Sequence, residues 1–387
     1  MDIRMPHFPR IDRRRVLAAG LAIAALPGLA RADALDAFVG EHMRAATIPG
    51  LAVGLARDGV VRLARGYGLA DIATGRAVTA DTRFHIASLT KTVTATAVML
   101  LVEDGRLTLD AAIAPHLDFP VANPRHPEAP ITVRQLLTHT SSLSDARYYE
   151  IDFRTHGHDA TQGLGDFLKA YLAPGGAAYA ADGCFSAKAP GEAWGYSNVG
   201  YALLGYLAGR VGGEDLRDLT RRHLFAPLGL KRTTWTIAET PATQTATPYD
   251  TIDGVQTPVA PVGFPDWPVG MMRSSIADFT RFAAAAANGG TSGGVRILRP
   301  ETMAAMVDMQ TPVGLPDWLT GQGLGWMEST LEGEARPNHW GGDPGVFTAV
   351  YLDPARRAAV TVFTNATASA AARAALKAIA VRLFESA

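Results

Sequence analysis

The hydrophobic pattern puts strands near the two ends of the chain and helices between them. Residues 51–56 and 60–67 are apolar-rich runs flanking Arg57-Asp58-Gly59, and residues 346–352 and 359–364 flank Asp353-Pro354-Ala355-Arg356-Arg357. Each pair is of strand length and is joined by turn chemistry, which predicts a hairpin. Residues 35–46 and 366–383 predict a helix at each end, the second through its Ala-Ala-Arg-Ala-Ala-Leu stripe. The two terminal helices would cover one face of the sheet. A further helix is expected over 92–102, an apolar run stopped by Glu103-Asp104-Gly105. Residues from about 107 to 290 read as helices joined by long Pro- and Gly-rich loops. The expected fold is α/β of the α+β kind: a sheet lobe from about 33–106 and 291–387, and a mainly helical lobe from about 107–290. A pocket is expected where sheet edge meets helical lobe, since such boundaries favour clefts.

With 387 residues and 48% hydrophobic content, the chain can bury one large core or two closely joined ones. Its single cysteine, Cys184, excludes an intrachain disulfide, so stability must come from that burial. The N-terminus carries Arg13-Arg14-Arg15, an apolar segment over 16–30 and the small-x-small site Ala30-Arg31-Ala32. These predict a twin-arginine-type export signal over residues 1–32, cut after Ala32, and a mature protein that is periplasmic or secreted. The apolar segment is too short to cross a hydrocarbon layer of ~30 Å, so no membrane span is expected after cleavage. Removing six arginines and two aspartates takes the formal charge from -1 to -5. A mildly acidic mature protein is a poor nucleic-acid binder, and no nucleic-acid partner is expected.

The candidate chemistry begins at Ser88-Leu89-Thr90-Lys91. Of the five lysines, only Lys91 has a serine three positions before it. On a helix that spacing puts hydroxyl and amine on one face. Serine is a poor nucleophile until its proton is taken, and a lysine in a desolvated site can take it. Downstream, Tyr196-Ser197-Asn198 is the only Tyr-x-Asn in the chain and leads into an apolar helix. His339-Trp340-Gly341-Gly342 precedes the β-branched run 346–352.

With these three elements in order the chain resembles the serine β-lactamase, DD-peptidase and family VIII esterase superfamily, its class C branch especially. The surroundings agree: Arg83-Phe84-His85-Ile86-Ala87 before the serine, Gln135-Leu136-Leu137-Thr138-His139-Thr140-Ser141-Ser142-Leu143 after it, Pro190-Gly191-Glu192 and Trp194 before the tyrosine, and Ala226-Pro227-Leu228-Gly229-Leu230 beyond. The resemblance covers about 35–365 and implies a β-lactamase/DD-peptidase-like fold. It also implies that Ser88 is acylated and that Lys91 is a general base. Tyr196 would share that work if cationic charge acidifies its phenol. Asn198 would bond the lysine or a substrate amide, and the backbone N–H groups of Ser88 and Gly342 would form an oxyanion hole. Gly341 and Gly342 would let a substrate approach the strand closely. The implied substrates are small esters, amides or peptides; no metal and no organic cofactor is implied.

One departure matters. Antibiotic-hydrolysing relatives usually carry Lys-Thr-Gly as the third element, and here His339 stands in the lysine's place and Trp340 in the threonine's. Histidine is mostly neutral at pH 7, so the exchange weakens recognition of a substrate carboxylate. Trp340 is expected to add an apolar wall to the cleft. The reading favours an exported ester or amide hydrolase, D-amino-acid amides included, over a class C-like β-lactamase or DD-carboxypeptidase. A non-catalytic cell-wall or ligand-binding protein that kept the fold is the reading from another class.

Other motifs carry less. Gly290-Thr291-Ser292-Gly293-Gly294 fits Gly-x-Ser-x-Gly but lacks the strand that a nucleophile elbow needs before it, so a surface loop is expected. His156-Gly157-His158-Asp159 is expected to be a solvated loop, and His85 a packing residue. Tyr148, Tyr149, Phe153, Phe185, Trp194, Phe264, Trp267, Trp318 and Trp326 are the candidate aromatic lining of the cleft.

Overall fold

The computed structural model describes residues 27–386, with side chains from Ala34 onward. Most of the expected export signal lies outside the described residues. The first described helix, α1 (Pro27–Ala45), runs unbroken past Ala32.

Eight antiparallel strands form the main sheet: β1 (Gly50–Arg57), β2 (Val60–Asp71), β3 (Arg76–Ala77), β4 (Gly321–Gln322), β5 (Met327–Leu331), β6 (Glu334–Asp343), β7 (Val346–Asp353) and β8 (Ala358–Thr364). Their order is β4-β5-β6-β7-β8-β1-β2-β3, so the two expected hairpins, β1–β2 and β7–β8, meet at the β8–β1 pair in the middle. Alternation along these strands divides the core. Leu51, Val53, Leu55, Phe347, Ala349, Tyr351, Val360 and Val362 face α1 and the C-terminal helix α5 (Ala370–Glu385). Ala52, Ala56, Val350, Leu352, Ala359 and Phe363 join the other, larger cluster. Successive side chains leave a strand on opposite sides, which is why near-continuous apolar runs supply both cores. Each fully buried Leu, Val or Phe contributes roughly 1.5–3 kcal/mol.

One helix differs from the lobe expected for it. Ile276–Ala287 (α4) falls within the middle segment yet packs on β1, β2 and β8. Its alanines and Gly54 permit that approach: a Cβ on Gly54 would come within 1.9 Å of Thr280 Oγ1. The sheet lobe therefore recruits a helix that precedes residue 291. Thr90–Glu103 (α2) packs against Asn198–Gly212 (α3) and is buried over nearly its whole circumference, the mark of a helix enclosed between layers. Thr94 inside it donates to Pro268 O at 2.7 Å.

The Gly-x-Ser-x-Gly match is a tight hairpin rather than a loose loop. Thr291–Ser292 pairs with Val295–Arg296, turning through Gly293 and Gly294 at φ of 56° and 82°. Ser292 Oγ donates to Gly59 O at 3.0 Å, so that hydroxyl has a structural task. Asp159, beside the two loop histidines, accepts from the backbone N–H groups of Ile237 and Ala238. Among the described residues no cluster of three metal-ligating side chains occurs, and no helix is long and apolar enough to cross a membrane.

Candidate active site

Ser88 sits in a single tight turn, Ala87–Leu89, and α2 begins at Thr90, two residues after Ser88 and two before the apolar run that predicts it. Ala87 holds φ at 46°, a left-handed conformation that costs a non-glycine residue about 1–3 kcal/mol and that surrounding structure must impose. It is imposed from two sides. Ile86 N donates to Met272 O at 3.0 Å, and Thr348 Oγ1 of β7 donates to Ile86 O at 2.9 Å.

Lys91, in the first turn of α2, is completely buried. Its Nζ donates to Ser88 Oγ at 3.0 Å, Asn198 Oδ1 at 2.8 Å and Val269 O at 2.9 Å. Burial lowers its pKa from 10.5 to about 7, with Asp145, Asp266 and Asp343 pulling the other way. The shift sets about 5 kcal/mol against the ammonium form. Three acceptors suit an ammonium; a neutral amine would keep two as donors and turn its lone pair to the Ser88 hydroxyl.

Asn198 opens α3, where Ser197 caps the helix by accepting from Gly200 N at 3.0 Å. Asp145 fixes this corner. One of its oxygens accepts from Ser197 Oγ and Val199 N, the other from Asn198 N and Asn198 Nδ2, at 2.6–3.2 Å. The amide of Asn198 is thus oriented, oxygen to Lys91 and nitrogen to Asp145. Sequence reading missed Asp145: a lone acid after Ser142-Leu143-Ser144 reads as a turn residue.

Tyr196 is half-buried beside Lys91, whose Nζ lies 5.1 Å from its ring centre. Burial pushes the phenol well above its ordinary pKa, the Ser88 hydroxyl draws it partly back, and Asp145 opposes ionisation. The condition for a tyrosinate base, cationic charge that outweighs burial, is not met. His139 stacks on this ring at 4.5 Å. Its Nδ1 accepts from Ser197 N at 3.1 Å, which leaves any ring proton on Nε2. Burial holds His139 far below the ordinary histidine range, with the charge of Lys91 adding to the effect.

The third element lies inside β6. Trp340 pairs with Ala349 and Gly341 with Thr348 of β7. His339 is buried, its Nδ1 is 2.8 Å from Trp340 O, and burial followed by the Lys91 charge lowers its pKa to about 3. It is a neutral ring, so no cation replaces the lysine of the Lys-Thr-Gly pattern. Trp340 does not wall the cleft. Alternation sends it to the opposite face of β6, where it stacks on Trp318 at 5.5 Å and donates to Tyr351 Oη at 3.0 Å. Together with Phe347, Arg373 and Lys377 these rings line a cavity of about 500 Å³ that none of Ser88, Lys91 or Tyr196 borders.

The two glycines have different reasons. A Cβ at Gly341 would lie 2.4 Å from Ile86 O, 2.5 Å from Thr348 Oγ1 and 3.0 Å from Ser88 N; at Gly342 it would meet nothing within 4 Å. Gly341 therefore lets the nucleophile turn press against β6, while Gly342 is open. Gly341→Ala is expected to lower kcat/KM by about 10²-fold or more, the scale of losing one oxyanion donor. Gly342→Ala should keep activity within about tenfold of the parent by the same measure. Ester kinetics on both variants, alongside melting curves, test the asymmetry.

Of the aromatic candidates, Phe185 and Trp326 are core residues at 0% exposure. Tyr149 is 71% exposed and reaches the site, its hydroxyl 3.3 Å from Asn198 Nδ2. Phe264 stands under Arg154, whose guanidinium lies 5.8 Å from the ring centre and pairs with Asp343 at 3.0 Å. Trp194 lies edge-on to His139. His85 is buried, with Nε2 2.7 Å from Gly270 O; burial, aided by Arg273, lowers its pKa to about 4, as suits a packing residue.

A hydroxyl bonded to a buried lysine on the next helical turn, at the junction of an antiparallel sheet and a helical layer, is the arrangement of a serine hydrolase. The chain belongs to the Beta-lactamase family, whose model matches residues 35–383. It is 30% identical over 346 residues to penicillin-binding protein 4 of Amycolatopsis lactamdurans, covering 86% of this chain and 84% of the relative. It is 29% identical over 369 residues to esterase EstB of Burkholderia gladioli, covering 86% and 89%. Among solved structures, the D-amino acid amidase of Ochrobactrum anthropi SV3, in complex with L-phenylalanine amide, superposes with a TM-score of 0.72. That match is at 25% identity and covers 92% of this chain and 98% of the amidase.

Proposed function

We propose that the protein cleaves small esters and amides, D-amino-acid amides included, through an acyl-enzyme on Ser88, and that it does so outside the cytoplasm. The observation that carries the reading is the environment of Lys91: a fully buried amine, held by Asn198 and Val269, with Ser88 Oγ at 3.0 Å. In its neutral form the amine takes the Ser88 proton as Oγ bonds to the substrate carbonyl carbon. Tyr196, kept neutral by burial, passes a proton only as it receives one, and relays the Lys91 proton to the departing alcohol or amine. Water then attacks the acyl carbon, gives its proton back through the same groups, and leaves Ser88 protonated. The backbone N–H groups of Ser88 and Gly342 are assigned to the developing oxyanion.

The neutral His339 supports esters and amides over β-lactams, because the site lacks the fixed cation that would hold a β-lactam carboxylate. The similarity to esterase EstB and to the amidase points the same way. The twin-arginine run and the Ala30-Arg31-Ala32 site support export. Initial rates on a short-chain nitrophenyl ester, D-phenylalanine amide and a chromogenic cephalosporin test the substrate class. Faster turnover of the ester or the amide than of the cephalosporin is expected; the cephalosporin as the best substrate overturns it.

A further inference from the structure

Asp266 lies three residues before Val269, whose carbonyl accepts from Lys91, and its side chain is completely buried. Only one of its oxygens has a protein partner: Tyr148 Oη donates to Oδ2 at 2.8 Å, while Oδ1 meets no donor among the described residues. Asp145 is differently placed. It accepts four hydrogen bonds, two of them from backbone N–H groups; these oppose the effect of burial, which still raises its pKa.

The charges around the site sort into pairs with one left over. Lys91 faces Asp145, Asp266 and Asp343, the buried imidazoles of His139 and His339, and the phenols of Tyr196 and Tyr201. Asp266 faces Lys91, Asp145, Tyr148 and Arg154. Arg154 is taken by Asp343 at 3.0 Å, the buried Arg273 faces Asp159 and Asp343, and Lys91 is balanced by Asp145. Asp266 is then a surplus carboxylate with one oxygen uncompensated, which a low-dielectric interior does not sustain alone.

We propose that Asp266 is a positioning residue for the base: it and Lys91 carry one proton in total, so that the amine is free when the carboxyl is protonated. The inference rests on Lys91 being the base. Loss of a proton from Nζ and gain of one by the carboxyl together leave the total charge of the buried site unchanged. Burial raises Asp266, with Tyr148 pulling it back, and lowers Lys91, while the charge of each group favours the charged form of the other. Such a pair titrates in two steps that belong to both residues.

Asp266→Asn tests this, because the amide keeps an acceptor for Tyr148 and carries no charge. The readout is the pH dependence of kcat/KM for a nitrophenyl ester. Without the second carboxylate Lys91 loses its proton more readily, so the acid limb should move to lower pH by about one unit. On the limb the variant then keeps roughly tenfold more of its plateau activity than the parent. A limb that stays in place overturns the proposal, since a merely structural change would lower the plateau without moving the limb. If Asp266→Asn does not fold, Tyr148→Phe serves. Loss of its hydroxyl favours the protonated carboxyl and should move the limb the same way, and an unmoved limb is again contrary. The base assignment fails separately, if Lys91→Met retains the parent's acid limb.

Discussion

Ser88→Ala is expected to lower ester kcat/KM by about 10⁴-fold or more while leaving the fold intact, the scale seen when a nucleophile is removed from a concerted serine site. The fold should hold because Ser88 Oγ is only one of three acceptors around Lys91; Asn198 Oδ1 and Val269 O remain. The backbone positions assigned to the oxyanion stay in place, so the residual rate should exceed that in water. Steady-state kinetics with a melting curve for each protein check both halves. A variant that melts like the parent and turns over ester at the parent rate removes Ser88 from the mechanism.

Lys91→Met is the second large effect. Loss of the general base is expected to cost about 10²–10⁴-fold, and the pH profile should change shape. In the parent, the amine is protonated below about pH 7 and kcat/KM falls about tenfold per unit there; in the variant that dependence disappears. Stability should respond as well. The folded-state pKa lies below the unfolded value of 10.5, so between about 7 and 10.5 the unfolded chain binds the extra proton and parent stability rises with pH. Relief from the buried amine is therefore greatest below about pH 7. The melting temperature of Lys91→Met, measured against the parent, should gain most there and lose the advantage towards pH 10.

The sequence made the outline of the site legible because its parts are local. Ser88 and Lys91 are three apart, the hairpins carry their own turns, and the terminal helices carry their own stripes. What stayed hidden depends on distant pairing. Whether Trp340 faces cleft or reverse side is decided by the register of β6 against β7. Asp145 and Asp266 become site residues only when loops more than a hundred residues apart meet at Lys91. The carbonyl of Val269 has no side-chain signature at all. An alanine-rich helix such as α4 does not announce its lobe, because alanine packs as well on a sheet as on another helix. Phe185 and Trp326 show the same ambiguity, since apolar bulk suits a core and a cleft alike.

The central claim is a covalent acyl group on Ser88, and rapid-quench intact-mass spectrometry during ester turnover, followed by peptide mapping, tests it most directly. The account predicts a transient mass increase equal to the acyl group, located on the peptide containing Ser88 and absent from Ser88→Ala. Turnover at full rate with the acyl group mapped to another residue would contradict it.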